Sequence, residues 1–237
     1  MRSLIHEIAT QHPPEALTEQ LRGEPGLVLL SSAACDWPQT RYSFVAARPF
    51  LTFRSFGSRC ELRSGSAIGD NPVQFGNPWH LLDSLMSRYE LLDEVDLPFP
   101  LGGCFGYWGY ELKNFVEPKL ARRAVDDLAL PDCHVGFYDS LVVFDHRLDK
   151  TWIVSTGLGA DGSRSADEAK KQLAFWRDKL ESAEPNHSPT RNSKLDARHF
   201  PGVGSNLTRR AFITKVERAC TCGPNSTTLT KEVPAIP

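Results

Sequence analysis

A chain of 237 residues that is 41% hydrophobic and 24% charged can bury a full core, either as one large domain or as one domain and part of a second. Its net charge of -2, with basic residues scattered and no run longer than those at Ala121-Arg122-Arg123 and Thr208-Arg209-Arg210, leaves no footprint for nucleic acid or an anionic membrane. A charge at Arg2 and the lack of any stretch near the roughly 20 apolar residues of a membrane span exclude a signal peptide or an anchor, and a cytoplasmic protein is expected.

Taken in chain order, Pro14-Glu15-Ala16-Leu17-Thr18-Glu19-Gln20-Leu21 starts with a proline suited to a first helical turn, spaces Leu17 and Leu21 four apart and stops before Gly23. A short helix is predicted there. Residues 26–30, 41–47, 50–56 and 58–62 are apolar runs of strand length bounded by turn residues such as Asp36, Pro38, Pro49, Gly57 and Gly65. Their close spacing implies antiparallel pairing, because parallel neighbours need a crossover of about a dozen residues or more. Asn77-Pro78 is a cap followed by proline, and Trp79, Leu82, Met86 and Tyr89 recur at spacings of three, four and three, which predicts a helix with one apolar face.

Pro98, Pro100 and Gly102 lead into the least generic stretch, Gly102-Gly103-Cys104-Phe105-Gly106-Tyr107-Trp108-Gly109-Tyr110-Glu111-Leu112. Glycine permits close backbone approach and aromatics fill the space left by absent Cβ atoms, so it reads as a buried strand against which another layer packs. Residues 134–144 read as an apolar strand, Asp145-His146-Arg147-Leu148-Asp149-Lys150 as a polar hairpin loop and residues 151–156 as the return strand. The capping box Ser165-Ala166-Asp167-Glu168 then opens a helix with Ala166, Ala169, Leu173, Trp176 and Leu180 on one face, expected to lie on the sheet that the hairpin completes. Residues 184–204 have the proline, serine and polar content of a linker, Ser205-Asn206-Leu207-Thr208 can cap a further helix with Phe212, Val216 and Ala219 on one face, and residues 220–237 show no periodicity.

Patterning by itself shows no catalytic constellation. The glycines at 102, 103, 106 and 109 are followed by no Walker lysine and do not carry the dinucleotide spacing, and no Gly-x-Ser-x-Gly occurs. His134, His146, Asp132, Asp139 and Asp145 invite a metal or acid-base reading, but a full strand length separates Asp139 from Asp145. The six cysteines, Cys35, Cys60, Cys104, Cys133, Cys220 and Cys222, read as reduced thiols, and Cys220-Thr221-Cys222 is one residue short of the usual zinc pair and has no second pair after it.

Four ordered segments carry a resemblance. The 102–112 strand resembles the Gly-Gly-x-x-Gly-Tyr-x-Gly-Tyr-Asp/Glu-Leu strand of the chorismate-utilising synthases, component I of anthranilate synthase and of aminodeoxychorismate synthase. Leu29-Leu30-Ser31-Ser32 with Arg41-Tyr42-Ser43-Phe44 is similar to their Leu-Leu-Glu-Ser and Arg-Tyr-Ser pair. Pro131-Asp132, Tyr138-Asp139 and Asp145-His146 are similar to their Pro-Asp, Tyr-Asp and Asp-His hairpin, and Ser205-Asn206-Leu207-Thr208 with Val216 and Ala219 to the helix that opens their catalytic domain. Ser31 and Glu111-Leu112-Lys113 look more like the aminodeoxychorismate branch.

The resemblance implies an α+β fold: a largely antiparallel sheet with helices on its outer face, the N-terminal part of an α/β/β/α sandwich. It places that N-terminal domain at 1–183, the linker at 184–204, the first helix of a truncated chorismate-binding domain at 205–219 and an unrelated tail at 220–237. It also implies a tryptophan pocket at Leu30, Ser32, Arg41 and Tyr42, and a glutamine amidotransferase partner that supplies ammonia for the amination of chorismate. The family's magnesium and its catalytic residues belong to the second domain, so no catalytic or metal-binding residue and no cofactor is assigned to this chain, which is expected to be inactive alone.

Overall fold

The computed structural model describes residues 2–10, 12–32, 40–65, 72–92, 95–119 and 129–182, together with Thr208, Arg210, Ala211, Ile213 and Thr214. The chain divides into two units, Met1–Asn186 and His187–Pro237. In the second, Thr208 Oγ1 accepts from the Ala211 N–H at 3.2 Å, and Arg210, Ala211, Ile213 and Thr214 are helical. The expected linker and tail lie outside the described residues.

The first unit is α+β, as the resemblance implied, but it holds two five-stranded antiparallel sheets in place of one. Its elements are β1 (Leu4–Ile8), α1 (Pro14–Gln20), β2 (Val28–Leu30), β3 (Tyr42–Ala46), β4 (Leu51–Phe56), β5 (Arg59–Ser64), β6 (Val73–Phe75), α2 (Pro78–Arg88), β7 (Gly103–Trp108), α3 (Lys113–Val116), β8 (Cys133–Tyr138), β9 (Ser140–Asp145), β10 (Lys150–Ser155) and α4 (Ala166–Glu181). The first sheet runs β1-β10-β9-β3-β2 and the second β6-β5-β4-β8-β7.

The apolar run at 134–144 is therefore two strands in two sheets. Asp139 is the single residue between them, and both the N–H and the Oγ1 of Thr156 donate to its main-chain oxygen, at 2.8 and 3.0 Å. Strands β1 and β6 have no counterpart in the sequence reading. Their segments, Leu-Ile-His-Glu-Ile and Val-Gln-Phe, are too short and too polar to stand out as apolar runs.

Helices α1 and α4 cover the outer face of the first sheet. Leu17 and Leu21 meet Trp176 and Leu180 over Val45, Val142 and Ile153, and the indole Nε1 of Trp176 donates to Ser140 Oγ at 3.0 Å. The N-terminus of α4 forms as the capping box predicts, with the Glu168 N–H donating to Ser165 Oγ. On the sheet's other face Leu141, Val143 and Val154 pack with Phe99 and Tyr138.

The second sheet is covered on one face by α2, through Leu82 and Tyr89 over Phe53, Val135 and Phe137. The apolar stripe on α2 is not the predicted one. Leu81, Leu82, Leu85 and Tyr89 pack on the sheet, whereas Trp79 and Met86 are 37% and 50% exposed. The cap is as read: Asn77 Oδ1 accepts from the Trp79 N–H at 3.0 Å. Asn77→Ala is expected to lower stability by about 0.5–2 kcal/mol in urea unfolding, with no change in the dependence on urea concentration.

The glycine-aromatic stretch is likewise relocated. Strand β7 is an edge strand, so Tyr107 and Trp108 are half exposed, and Tyr110 in the following 3-10 turn is 81% exposed. Its glycines do serve close approach, but sideways, to the neighbouring strand and not to a second layer. A Cβ on Gly106 would lie 2.2 Å from the carbonyl oxygen of His134, and one on Gly102 2.7 Å from that of Tyr138.

Candidate functional site

The β2–β3 pair positions the four residues singled out for a pocket. In its register Leu30 stands opposite Phe44, so Leu30, Phe44 and Tyr42 share one face of the first sheet. Tyr42 begins β3 and packs edge-on against Phe99 with ring centroids 5.8 Å apart, and Phe99 in turn lies 5.2 Å from Trp152. The phenol oxygen of Tyr42 is buried and, among the described residues, makes no hydrogen bond of good geometry. Burial, followed by the charge of Asp145, pushes its pKa up, so the group stays a neutral hydroxyl.

Ser32 closes the end of the pair. Its N–H donates to Ser43 Oγ at 2.9 Å and its hydroxyl donates to the main-chain oxygen of Tyr42 at 2.6 Å. Arg41 lies just ahead of β3, where its Nε and Nη2 donate to Asp145 Oδ2 at 2.9 and 2.6 Å and its guanidinium carbon sits 4.8 Å from the centre of the Tyr42 ring. The structure thus brings Leu30, Ser32, Arg41 and Tyr42 to one end of the first sheet, with Arg41 already ion-paired.

Sequence reading named Asp145, His146 and Ser43 but not the contacts by which they fix this end. Asp145 is buried, accepts the Arg147 and Leu148 N–H groups as well as Arg41, and is held below the ordinary carboxylate range: burial raises it, and these hydrogen bonds outweigh the burial. Ser43 Oγ lies 2.6 Å from His146 Nε2. Ser43 is fully buried and takes the Ser32 N–H, so the pair ties β3 to the β9–β10 turn and does not present a nucleophile. The only signal for these contacts was the Asp-His pair at the end of a strand, and the partner Arg41 stands 104 residues earlier.

The other candidates separate. His134 faces out from β8 in the second sheet, far in topology from His146, and Asp132 Oδ2 caps the Gly57 N–H. Cys60, Cys104 and Cys133 are free thiols; burial pushes Cys104 and Cys133 up to about 12, which leaves them protonated and unreactive. Elsewhere, an apolar cavity of about 530 Å3 is lined by Phe50, Tyr89, Phe99, Cys104, Phe137 and Met86. Among the described residues no group of three or more His, Cys, Asp or Glu could hold a metal ion, and no helix is long and apolar enough to cross a membrane.

Comparison with known proteins decides what this arrangement belongs with. The chain is 30% identical over 146 residues to anthranilate synthase component 1 of Acetivibrio thermocellus, covering 62% of this chain and 29% of that protein. It is 32% identical over 142 residues to aminodeoxychorismate synthase component 1 of Escherichia coli K12, covering 58% and 30%. The chain is a homologue of these component I synthases.

The likeness to anthranilate synthase component 1 of Lactococcus lactis, 26% identical, extends over 221 residues, 92% of this chain and 45% of that protein. Among solved structures, anthranilate synthase component I of Streptococcus pneumoniae matches 64% of this chain and 32% of its own with a TM-score of 0.50 at 24% identity, which establishes a shared fold. No family model matches. The chain spans about a third to a half of the length of these relatives, and both synthase types are represented among them. The magnesium associated with the resemblance finds no fitting ligand set among the described residues.

Proposed function

We propose that this chain is the N-terminal portion of a para-aminobenzoate (aminodeoxychorismate) synthase component I, acting in the amination of chorismate for folate biosynthesis in the cytoplasm, and that its first sheet carries a tryptophan pocket at Leu30, Ser32, Arg41 and Tyr42. The observation that carries the reading is that Leu30, Ser32, Arg41 and Tyr42 lie together at one end of the first sheet, in a chain related to component I synthases. The Tyr42, Phe99 and Trp152 rings supply an aromatic wall. In this reading ammonia is delivered by a glutamine amidotransferase, the second component that the relatives' name "component 1" implies.

A second reading, an anthranilate synthase component I, is favoured by the longer likeness to the Lactococcus lactis protein. A third is a non-catalytic amino-acid-binding module. Thermal unfolding with L-tryptophan tests the pocket: at a hundred times its Kd the ligand should add about 2.7 kcal/mol of stability, and Tyr42→Phe should weaken that response while leaving the free protein folded. A flat response to tryptophan and to other aromatic amino acids would remove the pocket. Co-purification with the amidotransferase subunit of one enzyme and not of the other separates the two synthase readings.

A further inference from the structure

The second sheet turns one face to α2 and carries a row of polar side chains on the other. Residues directly opposed in an antiparallel ladder point to the same face, and the register sets Glu61 of β5, Arg54 of β4, His134 of β8 and Tyr107 of β7 side by side. Their chain neighbours Cys60, Phe53 and Val135 belong to the core under α2, so the row points away from that helix. Arg59 and Arg63 flank Glu61 on β5 and, by alternation, share its face.

Charge on this face is uneven. The Glu61 carboxylate lies 2.7 Å from Arg59, 3.3 Å from Arg54 and 3.6 Å from Arg63, so one anion is shared among three guanidinium groups. Its side chain is 10% exposed, whereas those of Arg59 and Arg63 are 50% and 51% exposed, so solvent meets the cations and not the carboxylate beneath them. Asp132, just ahead of β8, is committed to the Gly57 N–H through its Oδ2. His134 adds no charge near neutral pH, because burial, followed by Arg54 and Arg63, holds its pKa below the ordinary imidazole value. Beside the arginines runs an apolar strip on the edge strand β6: Val73 stands opposite Glu61 and Phe75, 76% exposed, opposite Arg59.

We propose that this face docks an acidic segment of a partner protein, its carboxylates on Arg59 and Arg63 and its apolar side chains on Val73 and Phe75. Charge complementarity selects the occupant: a guanidinium fork takes a carboxylate by two hydrogen bonds at once, and arginine clusters are a recurring reader of acidic segments. A second copy of the chain fits poorly, because a two-fold contact would set the cationic patch against itself. Nucleic acid fits less well than an acidic segment, since its phosphates would pass close to Glu61 and Asp132 on a chain whose net charge is -2. The docking face is separate from the tryptophan pocket, which lies in the first sheet.

The test is fluorescence anisotropy of the full chain with a short labelled peptide of glutamates interrupted by phenylalanines, beside an all-glutamate peptide of the same length. The mixed peptide should bind, and its affinity should fall about tenfold between about 50 and about 200 mM NaCl. Arg63→Gln removes a guanidinium that is outside hydrogen-bond reach of Glu61, so the fold does not depend on it, and it should lower the affinity about fivefold. Phe75→Ser should weaken the mixed peptide and leave the all-glutamate peptide unchanged, and Lys170→Gln, exposed on α4, should change neither. Absence of binding, equal affinity for the two peptides, or an Arg63→Gln variant that binds as the unaltered protein does would overturn the proposal. So would tighter binding of an oligothymidylate or of phosphatidylserine vesicles, which would make the patch a nucleic-acid or a membrane surface.

Discussion

Gly106→Ala is expected to be strongly destabilising. Two costs combine. The φ of +151° at Gly106 is a conformation that side-chain-bearing residues rarely adopt, and the new Cβ would lie 2.2 Å from the His134 carbonyl oxygen and 2.7 Å from the Val135 Cα. Those contacts are backbone atoms of β8, a central strand of the second sheet, and cannot swing aside as a side-chain tip can. Strain of about 1–3 kcal/mol and overpacking of about 1–3 kcal/mol give about 2–6 kcal/mol, a large share of the roughly 5–15 kcal/mol that stabilises a typical domain. Gly103→Ala is the internal control. Its φ is +145°, yet nothing lies within 4 Å of the added Cβ, so it carries the strain alone. Urea unfolding of the two variants should place Gly106→Ala well below Gly103→Ala, and equal midpoints would show that the lateral contact with β8 is not limiting.

Trp176→Ala should cost about 3–5 kcal/mol, the range for removing a fully buried large aromatic. Trp176 joins α4 to the first sheet twice, by its ring against Val142 and Ile153 and by its indole N–H on Ser140 Oγ. Trp176→Phe keeps most of the apolar area and loses the hydrogen bond, so it should cost less, about 1–3 kcal/mol. If the two variants unfold at the same denaturant concentration, the ring's volume contributes little and the polar contact dominates.

How much of this was legible in the sequence follows from what each signal measures. Capped helices with a 3.6-residue period read correctly at α1 and α4, because caps and prolines act within a few residues of themselves. The helix α2 was found, but its buried face was misassigned: Trp79 and Met86 are apolar enough to mark a core stripe, yet they are 37% and 50% exposed, and Leu81, Leu82, Leu85 and Tyr89 pack on the sheet instead. The change of sheet at Asp139 was hidden by apolar residues on both sides of it, since strands buried on both faces lose the alternation that would show a break. The glycine-aromatic stretch announced close approach but not its direction. In the pocket, resemblance supplied Leu30, Ser32, Arg41 and Tyr42, whereas Asp145 and His146 required knowledge of which strands pair, which is non-local information.

The pairing of β1 with β10 sets a schedule for synthesis. Strand β1 is made well before β10, its one sheet neighbour among the described residues, which begins at Lys150. At 5–20 residues per second the chain between them takes roughly 10 to 30 s to make. Throughout that interval Leu4, Ile5 and Ile8 wait without a partner, and the first sheet cannot close until nearly all of the described unit has been translated. A bulky segment joined next to Leu4 would therefore act on the last step in the assembly of this sheet, although it adjoins the strand of the sheet that is made first.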